Sequence, residues 1–123
     1  MIAPIFNHMV EKSENEQLTD VLKATSDPTR RALLTQLVQQ GPTKVTDLAG
    51  YYEMSLNAIS KHIKVLESAG LVTRKTIGRT HWIEANLTVL TEVENWFRQL
   101  KSIWELRMDQ LENLLTKGDD NDD

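Results

Sequence analysis

A short stretch of the chain, Met54 to Ile83, combines basic and hydrogen-bonding side chains that could bind a nucleic acid. Five Lys or Arg residues stand here beside a single acid, Glu67, so the stretch carries a charge of +4. The whole chain of 123 residues carries −4, which leaves −8 for the remainder. Lys and Arg neutralise phosphates, whereas Asn, Ser and Lys can hydrogen-bond to base edges. Because local potential rather than total charge attracts a charged partner, the acidic total does not exclude DNA.

Residues for catalysis and metal binding are scarce. The chain has no cysteine, which excludes disulfides, thiolate metal sites and cysteine nucleophiles. It has no Gly-rich phosphate loop, no HExxH motif and no catalytic set of Ser, His and an acid. His8 and His81 are interpreted as ordinary surface or hairpin residues. Glu105, Asp109 and Glu112 share one helix face, and a solvated face explains them better than a hard-cation site. We therefore predict a protein that is not an enzyme and holds no cofactor or metal.

Two helices are predicted between Leu18 and Gly41. The first opens at Leu18 and ends near Ser26, where Asp27 can cap the next helix and Pro28 can occupy its first position. The second helix ends before Gly41. Its predicted buried face consists of Leu33, Leu34, Leu37 and Val38.

A short helix and a longer one follow, and together they predict a helix-turn-helix. Thr46 is expected to cap the short helix and Ser55 the longer one, which Gly70 ends. The longer helix should bury Ile59, Ile63 and Leu66. Its opposite face is polar, as a helix that enters the major groove requires.

A β-hairpin should come next, because the hydrophobic period changes from helical to alternating. LVTRKTI and THWIEA are rich in β-branched residues and flank Gly78–Arg79. A basic hairpin beside a helix-turn-helix makes a wing. The predicted fold class is therefore mainly α with a small β-hairpin (α+β), a winged helix-turn-helix with a recognition helix over 55–69 and a wing over 71–85.

The DNA-contact residues follow from this arrangement. The predicted base contacts are Leu56, Asn57, Ser60 and Lys61, and the predicted backbone contacts are Ser55, His62, Lys64, Arg74, Lys75, Arg79 and Thr80. Two alternatives stay open from the residues alone: the lysines could simply solvate an exposed face, and His62 could pack against a neighbouring helix. Arg30 and Arg31 are interpreted as structural residues or, at most, as neighbours of a phosphate.

The last helix carries an apolar seam of near-heptad period. Its members are Leu90, Val93, Phe97, Leu100, Trp104, Met108, Leu111 and Leu115. A single helix of this length offers more apolar surface than one small domain covers, so dimerisation is preferred over an intrachain core. A small-molecule pocket near Trp96 and Trp104 is a further alternative.

The ends of the chain are set apart from a predicted single domain over residues 16–115. Residues 1–15 are predicted as an extension with a short amphipathic helix, and 116–123 as an acidic disordered tail. The opening residues do not resemble a signal peptide, and no apolar run is long enough to span a bilayer. A cytoplasmic protein is therefore expected.

The combination of these segments resembles the ArsR/SmtB family of bacterial winged-helix repressors. The resemblance rests on DPTRRALLTQL, VTDLA, SLNAISKHIKVLESAGLV and RKTIGRTHWIEA, and it covers the chain from about Leu18 to the final helix. It implies a homodimer joined by its first and last helices, with one recognition helix per subunit on a palindromic operator. It also implies an effector, often a metal, that releases the DNA. The implied interface residues are Leu18, Val21, Leu22, Val93, Trp96, Phe97, Leu100, Trp104, Met108 and Leu111.

The family's metal ligands are not matched in this chain. Lys44–Leu48 stands where thiolate sensors have cysteines, Asn86–Thr88 stands where zinc sensors begin an Asp-x-His pair, and no histidine follows His81. Thiolate and imidazole are the ligands that soft divalent metals prefer. The prediction is therefore a homodimeric, DNA-binding repressor without the known metal sites, whose small-molecule effector, if any, is unknown. The alternatives are a winged-helix module that binds an acidic protein, and a repressor gated by an organic ligand or a hard metal.

Overall fold

The computed structural model describes the backbone of residues 14–121 and the side chains of 15–117. In chain order the elements are α1 Glu14–Ala24, α2 Pro28–Gln40, β1 Thr43–Lys44, α3 Val45–Ala49, α4 Leu56–Ser68, β2 Val72–Ile77, β3 Thr80–Ala85 and α5 Leu90–Asn121. The extension predicted over residues 1–15, with its short amphipathic helix, lies outside the described part of the chain except for Glu14 and Asn15. No helix in the described part is long and apolar enough to cross a membrane.

The chain divides into two compact units between Val93 and Glu94. The first unit holds α1 to α4, the sheet and the start of α5, and the second consists of the rest of α5. The predicted domain limits, 16–115, stay a prediction. The helix α5 continues to Asn121, so it extends into the segment that was expected to be a disordered tail.

The first unit has one hydrophobic core to which every element except β1 and α5 contributes a fully buried residue. Its buried members are Val21, Ala24, Leu33, Leu37, Val45, Leu48, Ile59, Ile63, Leu66, Ala69, Leu71, Val72 and Ile83. Each large aliphatic side chain buried in this way stabilises the fold by about 1.5–3 kcal/mol. The predicted buried face of α2 is wrong at Val38, which is 52% exposed, because α2 turns only Leu33 and Leu37 fully inward. Leu34 packs against the core but is only partly buried.

The helix boundaries are largely the predicted ones. The Asp27 carboxylate accepts the backbone N–H of Arg30 at 3.0 Å, Pro28 begins α2, and the Ser55 hydroxyl accepts the backbone N–H of Ala58 at 3.1 Å. Gly70 follows α4 with φ of 81°, a conformation that residues with a Cβ adopt rarely. A Cβ at this position would also come within 3.0 Å of the Val89 side chain.

The predicted cap at Thr46 is wrong. The helix α3 begins at Val45, two residues before the start that a cap at Thr46 implies, and its N-cap is Lys44, whose side chain makes no capping hydrogen bond. Lys44 is instead held in an extended conformation because it belongs to a strand.

That strand, β1, makes the sheet three-stranded, with the order β1-β3-β2 and antiparallel pairing throughout. Thr43 pairs with Ile83, and Lys44 pairs with Trp82. The predicted hairpin of β2 and β3 is confirmed, with Ile77 paired to Thr80 across the Gly78–Arg79 turn. The extra strand escaped prediction because two residues are too few to show an alternating pattern.

Candidate nucleic-acid interface

The helix α4 separates an apolar face from a polar one. Its buried residues Ile59, Ile63 and Leu66 recur at spacings of four and three, which places them on one side of a helix with 3.6 residues per turn. The opposite side presents Asn57, Lys61 and Lys64, all exposed, together with half-buried Ser60 and with Leu56 at the first turn. The burial of one side therefore fixes which residues α4 can present to a partner.

A groove of about 490 Å³ lies between the start of α4, the start of α3 and the wing. Its lining consists of Lys44, Val45, Thr46, Leu56, Ser60, Arg74, Arg79, Thr80 and His81. It brings predicted base contacts from α4 together with predicted backbone contacts from the wing. These roles stay predictions, but the structure does place the residues around one concave surface.

Lys44 is a cation at this groove that the sequence did not predict as a contact. Its ammonium lies 5.4 Å from the centre of the Trp82 ring, within the range of a cation–π interaction. The pairing of β1 with β3 brings Lys44 to the wing. No local sequence signal marks this pairing, so Lys44 could be recognised only once the third strand was known.

Arg74 is partly neutralised by the single acid of the basic stretch. Its Nε lies 3.5 Å from Glu67 Oε2, and both side chains are about one third exposed or less. Among the described residues, no acid lies within ion-pair distance of Lys61, Lys64, Lys75 or Arg79. Those four cations can therefore meet phosphates without first losing an internal partner.

His62 lies on the flank of α4 that faces the start of α2. Its Nδ1 is 3.2 Å from Arg30 Nη1 and 4.0 Å from Asp27 Oδ2, and its side chain is 19% exposed. The hydrogen bond from the backbone N–H of Arg30 lowers the pKa of the Asp27 carboxyl, and the charge of the Arg30 guanidinium acts in the same direction. His62 therefore packs against the start of a neighbouring helix, which was one of the two alternatives. Its contact with a phosphate stays a prediction.

Arg30 and Arg31 make hydrogen bonds within the fold, in line with their interpretation as structural residues. Arg30 Nε donates to the carbonyl of Ala24 at 2.7 Å, and Arg31 Nη1 donates to the carbonyl of Thr25 at 2.6 Å. Both carbonyls stand at the C-terminal end of α1, where cations are favoured by the helix dipole. His81 also has a local partner, because its Nδ1 lies 3.0 Å from the Thr76 hydroxyl on the neighbouring strand.

A second surface, the apolar face of α5 after Val93, is exposed. All side chains from Glu94 to Lys117 are exposed. The predicted interface residues in this range are Trp96, Phe97, Leu100, Trp104, Met108 and Leu111, and Ile103, Leu106, Leu114 and Leu115 are large apolar residues exposed beside them. The Trp96 and Phe97 rings lie 4.9 Å apart, centre to centre.

The interface predicted from the first helix needs one correction. Val21 is only 1% exposed because it packs into the core of its own unit, so it has no surface to offer a partner. Leu18 and Leu22 are partly buried, as is Val93, which packs against the same core. Their contact with a partner stays a prediction.

Metal-binding residues do not gather within the described residues. Over that range, no three His, Asp or Glu side chains lie close enough to hold a metal ion. At Asn86–Thr88, where the resemblance would place a ligand pair, Asn86 Oδ1 accepts the Thr88 hydroxyl at 2.8 Å.

Comparison with known proteins gives consistent matches. Residues 27–74 match the family described as bacterial regulatory protein, arsR family. The transcriptional repressor SdpR of Bacillus subtilis (strain 168) is 34% identical over 79 residues, which are 64% of this chain and 87% of SdpR. The crystal structure of an ArsR family transcriptional regulator is 36% identical, with a TM-score of 0.69 over 74% of this chain and 93% of that one. A homodimeric winged helix-turn-helix DNA-binding domain from Mycobacterium bovis shares the fold at 23% identity, with a TM-score of 0.55 over 77% and 84% of the two chains.

Proposed function

The chain belongs to the ArsR family of bacterial transcriptional regulators, and we propose that it is a homodimeric repressor that binds a palindromic operator in the cytoplasm. Family membership makes it a winged-helix DNA-binding regulator and not an enzyme. The proposal adds the dimer, the symmetry of the operator and the residues that contact it. In this arrangement each α4 enters the major groove of one half-site, and the half-site centres are one or more helical turns apart.

The groove between α4 and the wing is the observation that carries the DNA-contact part of the proposal. Its lining combines Leu56 and Ser60 of α4, which we propose meet base edges, with cations of the wing and of β1. A recognition helix in the major groove would bring Asn57, Ser60 and Lys61 to base edges. Lys64, Arg74, Lys75 and Arg79 would then hold the phosphates on either side, and Lys44 joins this set.

The exposed apolar face of α5 supports the dimer. A monomer rarely leaves so long a run of large apolar side chains in water, and such faces usually mark a partner. A second copy of the same chain offers the same face, so a two-fold pair can cover both at once. A two-fold protein in turn requires two half-sites in inverted repeat.

Selection of duplex DNA from a random pool by the full chain tests the proposal. We expect enrichment of an inverted repeat, bound with an affinity that falls steeply as salt is raised. Lys61→Ala should relax the preference at one base pair of each half-site by about 1–3 kcal/mol. Lys117→Ala, which changes an exposed lysine at the other end of the chain, is the matched control and should leave the preference unchanged.

Two outcomes would contradict the proposal. A folded protein that enriches no sequence and binds no duplex at low salt would favour the alternative of a winged-helix module for an acidic protein. Enrichment of a single, non-repeated site would support DNA binding but would contradict the two-fold dimer.

A further inference from the structure

Arg30 joins three elements at a point beside the proposed DNA-binding surface. Its Nε donates to the Ala24 carbonyl at 2.7 Å, its Nη2 donates to the Lys23 carbonyl at 3.3 Å, and its Nη1 lies 3.2 Å from His62 Nδ1. The first two bonds anchor the guanidinium on the C-terminal end of α1. The third extends from that anchor to α4.

The chemistry of the two side chains decides the direction of this third bond. A guanidinium carries only donors, so Arg30 must donate and His62 Nδ1 must accept. A neutral imidazole that accepts at Nδ1 carries its proton on Nε2. The carboxylate of Asp27, 4.0 Å from Nδ1, is beyond hydrogen-bonding distance and leaves this arrangement in place.

We propose that Arg30 is a positioning residue for DNA binding: it holds His62 as the neutral Nε2–H form and so makes its ring a hydrogen-bond donor for an acceptor on the DNA. This inference rests on the proposed function, because it concerns how α4 meets its operator. Arg30 itself needs no contact with the DNA. It acts through the ring of His62 and through the attachment of that ring to the end of α1.

The proposal distinguishes His62 from the lysines and arginines of the same surface. A cation that neutralises a phosphate releases counterions, and its loss reduces the dependence of affinity on salt by about one unit. A neutral donor releases no counterion. Loss of the His62 contact should therefore weaken binding without changing the salt dependence. If His62 or Arg30 instead neutralised a phosphate as a cation, its loss would reduce the salt dependence.

The protonation form can be tested on the unmodified protein by long-range 1H–15N NMR at neutral pH. We expect the Nδ1 of His62 to give the signal of an unprotonated ring nitrogen and the Nε2 to give that of a protonated one. A proton on Nδ1, alone or together with Nε2, would overturn the proposal. This measurement does not depend on any variant being folded.

The positioning role can be tested with Arg30→Met and, as a matched control, Arg31→Met. Both changes remove a guanidinium that bonds to a carbonyl at the end of α1, but only Arg30 contacts His62. We expect Arg30→Met to weaken operator binding about threefold to tenfold per half-site, the size of one net hydrogen bond, at an unchanged salt slope. Arg31→Met should bind as the wild type does, and thermal unfolding checks that both variants are folded.

Combination with a change at His62 completes the test. His62→Phe should lose the same threefold to tenfold, and Arg30→Met should add almost nothing in that background, since both act through one contact. Additive losses, or a salt slope reduced by about one in Arg30→Met, would show that Arg30 acts on the DNA by itself and would overturn the proposal. If the wild-type protein binds no duplex, it is the proposed function that fails, whereas the NMR result still tests the Arg30–His62 bond.

Discussion

Two amphipathic helical surfaces of this protein, on α4 and on α5 after Val93, are arranged in opposite ways. On α4 the apolar side chains Ile59, Ile63 and Leu66 are fully buried and the polar ones are exposed. On α5 after Val93, the apolar side chains up to Lys117 are exposed along with the polar ones, and Trp104 is 60% exposed. Both helices carry the same kind of periodic sequence, so periodicity alone does not decide whether an apolar face is covered within one chain.

The difference indicates how the two helices contribute to function. Because the apolar face of α4 is buried in its own unit, its polar face is held in place before any DNA arrives. Such preorganisation lowers the cost of ordering side chains on binding. The apolar face of α5 after Val93, by contrast, is exposed, and we propose that a second copy of the chain covers it. One helix is therefore suited to reading a partner and the other to assembling with one.

The largest expected effect comes from the same substitution made once on each helix. Leu66→Ala, in the core, should lower the free energy of unfolding by about 2–5 kcal/mol at every protein concentration. Leu100→Ala, on the exposed face of α5, should lower the free energy of unfolding only slightly at concentrations where the chain is monomeric. The loss should be larger at concentrations where the chain is dimeric. Urea unfolding at two protein concentrations measures both.

Equal losses for the two leucine variants in the monomer would contradict this expectation. That result would mean that the face of α5 is covered within one chain. A large, concentration-independent loss for Leu66→Ala alone would confirm that, of the two faces, only that of α4 is buried within one chain.

The next effect concerns assembly. Trp104→Ala should weaken the dimer by about 2 kcal/mol or more, which is roughly thirtyfold in the dissociation constant, because exposed tryptophans that become buried often dominate an interface. Sedimentation equilibrium measures this constant. Ser102→Ala, an exposed polar position on the same helix, is the control and should change it little. If Trp104→Ala dimerises like the wild type, the apolar face has another use.

A smaller effect concerns the cations of the wing. Arg79→Gln should weaken operator binding and reduce its salt slope by about one unit, since Arg79 has no acidic partner among the described residues. Glu67→Gln should act in the opposite direction, because it releases Arg74 from its ion pair at 3.5 Å. The gain should be modest, as pairs this exposed contribute about 0.2–1 kcal/mol. Fluorescence anisotropy at several salt concentrations measures both slopes, and a weaker complex for Glu67→Gln would show that the pair itself helps binding.

The fold was predictable wherever a local signal was present. The caps at Asp27 and Ser55, the stop at Gly70 and the hairpin around Gly78 each follow from residue types with a known backbone preference. The prediction was wrong at Thr46 because the pairing of β1 with β3 holds Lys44 extended, and this tertiary contact overrides a side-chain cap. It was wrong at Val38 because α2 buries a narrower stripe than its four apolar residues indicate.

The candidate site was predictable in composition but not in its connections. The exposed face of α4 and the basic wing follow from periodicity and charge. The bond between Arg30 and His62 joins residues that are 32 positions apart, and no pattern in the sequence connects them. The burial of Val21 in the core was likewise not predictable, because α1 offers several apolar residues and only packing decides which of them turn inward.

The smallest expected effect concerns the carboxylate of Asp27, which caps the start of α2. In the folded protein the pKa of Asp27 is lowered, chiefly by the backbone N–H of Arg30. A carboxyl whose folded pKa is lowered stabilises the fold above its unfolded pKa, and this stabilisation disappears as the pH falls through the folded pKa. Asp27→Asn keeps a residue that can cap α2 but removes the charge. Its melting temperature should therefore lie slightly below that of the wild type at neutral pH and converge with it in acid. A difference that stays constant from neutral pH to below the folded pKa would show that the Asp27 charge does not stabilise the start of α2.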